Sequence, residues 1–267
     1  MNWGVSAVTV RFGRRVALDQ VSLTAEHGQV TAVVGGDGSG KTTLLRVLVG
    51  LVRPEPGTVR RPSRERLGYF CAASGVYPDL TVGENLSFAA TAYHVRSRRR
   101  TDELLETAGL TAATGRLAGH LSGGMRQKLG LVMAMVHQPD LLVLDEPTTG
   151  VDPVSRAELS GLITRAAAAG TAVVLATAYL DEAERAAAVV ALDAGRVLRS
   201  GTPDGIIAGL PGEVVATPAR PDGPPSWRRG AGWHAWLAPG TPVPAGATRA
   251  DVDLEDAVLV AALEDGR

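Results

Sequence analysis

Gly35-Gly36-Asp37-Gly38-Ser39-Gly40-Lys41-Thr42 fits the spacing G-x-x-x-x-G-K-[ST], between an apolar run at 29–34 and the helix-patterned stretch TTLLRVLVGL. Glycines at this density let successive backbone N–H groups curl around a phosphate, and a helix starting at the loop's end adds its dipole. Lys41 has the reach for β- and γ-phosphates, and the Thr42 hydroxyl suits Mg²⁺. With Thr43 directly after, the segment reads as the cradle of a nucleoside triphosphate. The competing reading is an ordinary Gly-rich turn, but the Lys-Thr pair and both flanks speak against it. Of the 27 basic residues only Lys41 and Lys128 are lysine, and one of them falls here.

Two further segments extend that chemistry. Leu141-Leu142-Val143-Leu144-Asp145-Glu146 reads as a buried strand ending in carboxylates. Asp145 is placed to hold Mg²⁺, and Glu146 to polarise an attacking water. An acidic pair after a strand is a weak signal alone and gains its force from the phosphate loop upstream. Leu121-Ser122-Gly123-Gly124-Met125-Arg126-Gln127 then offers Ser122 as the cap of a helix whose N-terminus, opened by two glycines, can approach an anion. A plain capped helix entry is the alternative.

LSGGMRQ resembles the signature of ABC-type ATPases, and residues 3–210 resemble the ATP-binding subunit of an ABC transporter, with the motifs in the order phosphate loop, signature, LLVLDEP, TTGVDP. The resemblance implies an α/β P-loop ABC ATPase fold with a largely parallel sheet, an antiparallel β edge and a helical subdomain at about 72–135. It also implies ATP with Mg²⁺ as ligands, Thr42 and Asp145 holding the metal. A head-to-tail dimer is expected, each ATP lying between one chain's phosphate loop and the other's Ser122, Gly123, Gly124 and Gln127. Phe12 matches the aromatic that stacks on adenine, a core strand position being the alternative. Asp152, in Gly150-Val151-Asp152, matches the family's dimer-contact loop. The segments VYPDLTVGENL and LDEAERAAAVVALDAGRVLRSGTP look most like ABC-2 exporter subunits, which implies a separate multi-span membrane subunit and a location on the cytoplasmic face of the membrane. ABC ATPases of translation usually carry two ATP-binding halves, and those of DNA repair a long coiled-coil insertion; neither feature stands out here.

Three positions depart from the family's pattern. Where the family has a Gln touching Mg²⁺ and water, alignment puts Ala72, and Cys71 and Ala73 are no better as oxygen ligands. Where it has a switch His on the γ-phosphate, Ala178 stands. Gly36-Asp37 replaces a usual Pro-Asn, and the Asp37 carboxylate works against a polyanion. Removing one group that stabilises developing charge costs on the order of 10²–10³ in rate. The expectation is ATP binding retained and the chain's own hydrolysis slow, as in the impaired half of an asymmetric heterodimer with a non-identical partner. Retention of Glu146 points the other way, to a working homodimer.

Strand-like alternation at 5–12 and 16–25, a strand at 141–144 and the succession helix 154–169, strand 171–176, helix 180–188, strand 188–192, strand 196–199 supply the elements that would position these residues. After about 210 the composition turns rich in Pro and Gly and holds Trp227, Trp233 and Trp236. That stretch, 211–267, reads as a linker and small packed β appendage closed by a helix at 251–263, a ligand-binding aromatic cluster being the alternative. Arg96, Arg98, Arg99 and Arg100 read as a solvated helix start, and Lys128 as a solvated helix residue. A net charge of −1 argues against a nucleic-acid surface, and a single cysteine excludes an intrachain disulfide. No run is apolar for long enough to cross a bilayer, and MNWGVSAVTVRFGRR lacks the basic-then-apolar order of a secretory leader.

Overall fold

The chain opens with a hairpin, β1 (Trp3–Phe12) and β2 (Arg15–Ala25), closed by a two-residue turn in which Gly13 takes φ +59°. The computed structural model describes residues 2–71 and 75–266. A short strand, β4 (Thr58–Arg60), joins the free edge of β1, giving the antiparallel sheet β2-β1-β4.

The main sheet contains β3 (Val30–Val34), β5 (Leu67–Phe70), β6 (Leu141–Asp145), β7 (Ala172–Thr177), β8 (Ala188–Asp193) and β9 (Arg196–Gly201). Its order is β5-β6-β7-β3-β8-β9, parallel throughout except for β9 against β8. β6 and β7 are buried at every position, as strands covered on both faces must be. Alternate residues feed different cores. Leu141, Val143, Val174 and Ala176 pack with Leu44, Leu45 and Leu48 of α1 (Lys41–Val49) and with Val8, Val10, Leu18 and Val21 of the hairpin. Leu142, Leu144, Val173 and Leu175 face the opposite way, toward α4 (Gly123–Met135) and α5 (Pro153–Ala168).

Between β5 and β6 lies the helical part: α2 (Val82–Ala92), α3 (Arg98–Thr107), two 3₁₀ turns and α4. Thr81 and Glu84 form a reciprocal capping box at the start of α2. Asn85 is fully buried and its side chain bonds Tyr77 N and O, Leu80 O and Thr81 O, fixing the segment that leads into the helix. α6 (Leu180–Ala183) is one turn long, where the sequence pattern predicts a helix to 188. Ala187 N donates to Val30 O, so the chain has already joined β3 by then and helical bonding has to stop.

After α7 (Pro203–Ala208), β10 (Glu213–Thr217), β11 (Ser226–Arg229), β12 (Gly232–Leu237) and β13 (Thr248–Arg249) form the antiparallel sheet β11-β12-β10-β13. α8 (Leu254–Glu264) follows, capped by Asp253 and Asp256. It packs back on the main sheet, Leu254 and Ala257 sharing a core with Ala32, Val34, Val189 and Ala191. Trp227 Nε1 donates to Asp256 and Trp236 Nε1 to Pro211 O, so two of the three tryptophans are spent inside this unit. Among the described residues no helix is long and apolar enough to cross a membrane.

Two side chains lie differently from the expectation. Lys128 is not solvated: it is buried on α4 and its Nζ donates to Glu158 on α5 at 2.7 Å. Four residues along a helix from Gly124, it faces α5 because Gly124 presses against Ser155 and turns that side of the helix inward. Arg100 leaves the exposed arginine run, and its Nη2 donates to Met135 O.

Candidate functional site

The loop after β3, the end of β6 and the end of β7 meet at the carboxyl edge of the parallel strands, where ligands of open α/β sheets bind. Val34 pairs with Thr177 and Asp145 with Ala176, so β7 stands between the phosphate loop and the acidic pair. A cleft of about 310 Å³ opens there, lined by Phe12, Arg15, Ala17, Asp37, Gly38, Lys41, Thr42, Thr43 and Glu146, with Gly36, Ser39 and Gly40 completing its floor.

The loop's shape depends on missing side chains. A Cβ at Gly35 would stand 2.2 Å from Leu192 O and 2.6 Å from Ser39 Oγ, and Gly35 holds φ +151°. Gly40 precedes α1 without a side-chain cap, so the first-turn amides of α1 are left for an anion. Lys41 Nζ donates to Gly35 O at 2.7 Å and Gly36 O at 3.3 Å and lies 3.4 Å from Glu146 Oε1. Thr42 Oγ1 donates to Asp145 Oδ1 at 3.1 Å. Burial raises the Asp145 carboxyl above its ordinary value; the Thr42 hydrogen bond opposes this, and the neighbouring Glu146 charge adds to it. Glu146 takes φ +50°, uncommon outside glycine, with its N donating to Ala176 O and its Oε2 accepting from Thr149 Oγ1. A left-handed residue held this way belongs to the class of local strain that collects at functional sites.

The residues present fit a Mg²⁺–triphosphate. Ser39 Oγ is buried and has no hydrogen-bond partner among the described residues. Thr42 and Asp145 offer hard oxygen ligands side by side.

Other predicted residues lie elsewhere. Ser122 caps α4 through Met125 N, and Gly124 presses so closely on α5 that a Cβ would meet Ser155 Oγ at 2.2 Å. Gln127, one turn on, keeps its Oε1 buried. Asp152 caps α5, accepting from Val154 N and Ser155 N, and those bonds lower its carboxyl. Gly123 would bring a Cβ within 3.9 Å of Gly150 O, so the Ser122-Gly123-Gly124 and Gly150-Val151-Asp152 segments adjoin each other. They do not line the cleft. Ala178 is exposed just past β7. The segment around it is pinned: Thr177 Oγ1 donates to Glu182 Oε2 at 2.7 Å, and Arg156 of α5 binds Glu182 and Asp181 at 2.7 and 2.5 Å. Ala72 and Ala73 lie outside the described residues. Arg15 in the cleft is absent from the sequence expectations, although its place opposite Phe12 in the hairpin is the signal that could have found it.

A family model described as "ABC transporter" matches residues 18–149. The chain is 41% identical over 209 residues to the probable multidrug ABC transporter ATP-binding protein YbhF of Escherichia coli (strain K12), covering 73% of this chain and 36% of that protein. It therefore spans about a third of that relative's length. It is 36% identical over 229 residues to the daunorubicin resistance ATP-binding protein DrrA3 of Streptomyces coeruleorubidus, covering 79% of this chain and 72% of the relative. Among solved structures, an ATP-binding subunit of an ABC transporter superposes with TM-score 0.70 at 29% identity, covering 78% of this chain and 92% of the other. A dimeric ATP-binding cassette bound to ADP and Pi superposes with TM-score 0.68 at 23% identity, covering 76% and 98%, and shows likeness of fold.

Proposed function

The chain belongs to the ABC transporter family of ATP-binding proteins, and from that premise we propose that it is the hydrolysis-impaired ATP-binding half of an asymmetric export ATPase. The observation that supports the reading is a cleft lined by Lys41, Thr42 and Glu146, with an exposed Ala178 just past β7, where the resemblance leads one to expect the switch side chain. The loop amides and Lys41 would hold the triphosphate, and Thr42 with Asp145 the Mg²⁺. When bound, Mg²⁺ neutralises charge on the phosphate oxygens and orients them. Glu146 would accept the proton of the attacking water, and Asp37 raises the negative charge around it. A methyl group at 178 supplies no hydrogen bond to the transferred group, so that stabilisation is lost from the reaction and not from binding.

Ser122, Gly123 and Gly124, grouped with Asp152 away from the chain's own cleft, would complete the site of a non-identical partner in a head-to-tail dimer. Closure would act on a separate multi-span membrane subunit at the cytoplasmic face through the helical part. There Tyr77 and Phe88 stand exposed in edge-to-face contact, a surface suited to being covered. The names of relatives suggest efflux of a drug-like compound. A second reading, a working homodimer, is favoured by Glu146, which is present and held beside Lys41.

The test is ATP binding and turnover by the purified chain with Mg²⁺. Binding with turnover at least a hundredfold below that of the Ala178→His variant is expected, since one such group is worth on the order of 10²–10³. Robust turnover abolished by Glu146→Gln would overturn the impaired-half reading in favour of the homodimer.

A further inference from the structure

Four charged side chains line the cleft: Arg15, Asp37, Lys41 and Glu146, two of each sign. Lys41 already donates to Gly35 O and Gly36 O and faces Glu146. Asp37 is exposed on the outer turn of the phosphate loop. Toward an incoming polyanion both carboxylates are repulsive, and Lys41 is partly neutralised by one of them. Among the described residues, the positive charge of the lining with no hydrogen bond or ion pair is Arg15.

Its position is set by the hairpin. Arg15 begins β2 directly opposite Phe12, so the two side chains leave the sheet as cross-strand neighbours at the mouth of the cleft. The guanidinium then reaches over the loop: a Cβ at Gly38 would stand 3.6 Å from Arg15 Nη2. Gly38 directly follows Asp37 in the chain, so the arginine and the intruding carboxylate serve the same stretch of loop.

We propose that Arg15 is a nucleotide-contacting residue that offsets Asp37, gripping the polyphosphate from the hairpin side while Lys41 and the loop amides hold it from below. The proposal rests on the cleft being the ATP site. A guanidinium suits this place because its planar fork bonds two phosphate oxygens at once and keeps its charge at every accessible pH. The cleft mouth is open to solvent, so the contribution must weaken with salt as screening shortens its range. It must also grow with ligand charge, from adenosine through ADP to ATP.

The experiment is calorimetric titration of MgATP, MgADP and adenosine into the full chain and its variants at low and high salt. Arg15→Ala is expected to weaken MgATP binding about tenfold at low salt, less at high salt, and adenosine binding hardly at all. Asp37→Asn should tighten MgATP about threefold, and the double variant Arg15→Ala/Asp37→Asn should return to within about threefold of the parent. Arg15→Lys should fall between parent and Arg15→Ala. Unchanged MgATP affinity in Arg15→Ala overturns the proposal, as does a loss that is independent of salt and unrelieved by Asp37→Asn. Lys41→Ala separates the two levels: its loss of binding supports the cleft as the ATP site whatever Arg15 does, and retained binding overturns that underlying assignment.

Discussion

The Lys128–Glu158 pair gives an asymmetric mutational prediction. The lysine side chain is 9% exposed and the glutamate 52%, with 2.7 Å between Nζ and Oε2. Glu158→Ala leaves an ammonium in a buried position without its carboxylate. Breaking a fully buried pair this way costs about 3–5 kcal/mol. Water reaches the glutamate side here and can partly resolvate the cation, so the expected cost is about 1–2 kcal/mol. Lys128→Met removes the charge together with its desolvation penalty, keeps an unbranched stem packed between α4 and α5, and releases Glu158 to water. That change should stay within about 0.5 kcal/mol. The double variant should match Lys128→Met, because nothing is left unpaired. Urea unfolding followed by far-UV circular dichroism, with equal m-values across the set, reads all three. A Lys128→Met cost equal to or above that of Glu158→Ala would refute the reasoning, since it would mean that the attraction outweighs the desolvation. The pair ties together the two helices capped by Ser122 and Asp152, so it bears on the proposed contact of those residues with a partner.

Burial raises the Asp145 carboxyl above the ordinary aspartate value, so on acidification it takes up its proton before an exposed aspartate does. The Mg²⁺-dependent gain in ATP affinity should therefore be complete above the raised value and vanish as pH falls through it, ahead of metal-free binding; Asp145→Asn should remove the gain at every pH, and a gain persisting in that variant would sink the assignment. For folding the sign is opposite, since the neutral form suits the buried site and the group's penalty relaxes in acid. In the C-terminal unit, Asp256 is fully buried and accepts from Trp227 Nε1 at 2.8 Å and lies 3.0 Å from His234 Nδ1. Asp256→Ala should cost about 2–3 kcal/mol by stranding both groups, visible as an earlier transition in fluorescence, because three of the four tryptophans lie in this unit.

Local chemistry was legible in the sequence. A phosphate loop needs contiguous residues with fixed spacing, so Gly35, Lys41, Thr42 and the helix behind them could be read as a unit. The strand ending in Asp145 and Glu146 could be read the same way. The departure at Ala178 was also visible, since it required only a gapless alignment to a motif. Helix ends were less so: 180–188 has the composition of a helix to its end, yet pairing of the chain with β3 stops it after one turn.

What the sequence alone determined is the inventory of groups for holding a triphosphate and the order in which they occur, because each motif is held within a few neighbouring residues. Tertiary structure decided which of them share a cleft. Asp145 meets Thr42 because β6 and β3 flank β7 in register, and Arg15 meets the loop because a hairpin folds over it. It also decided that Ser122 and Asp152 stand outside that cleft, and that Lys128 is buried while Arg98 and Arg99 stay exposed. Those outcomes depend on which surfaces remain exposed after strands and helices from distant parts of the chain have packed. No local pattern of residues carries that information.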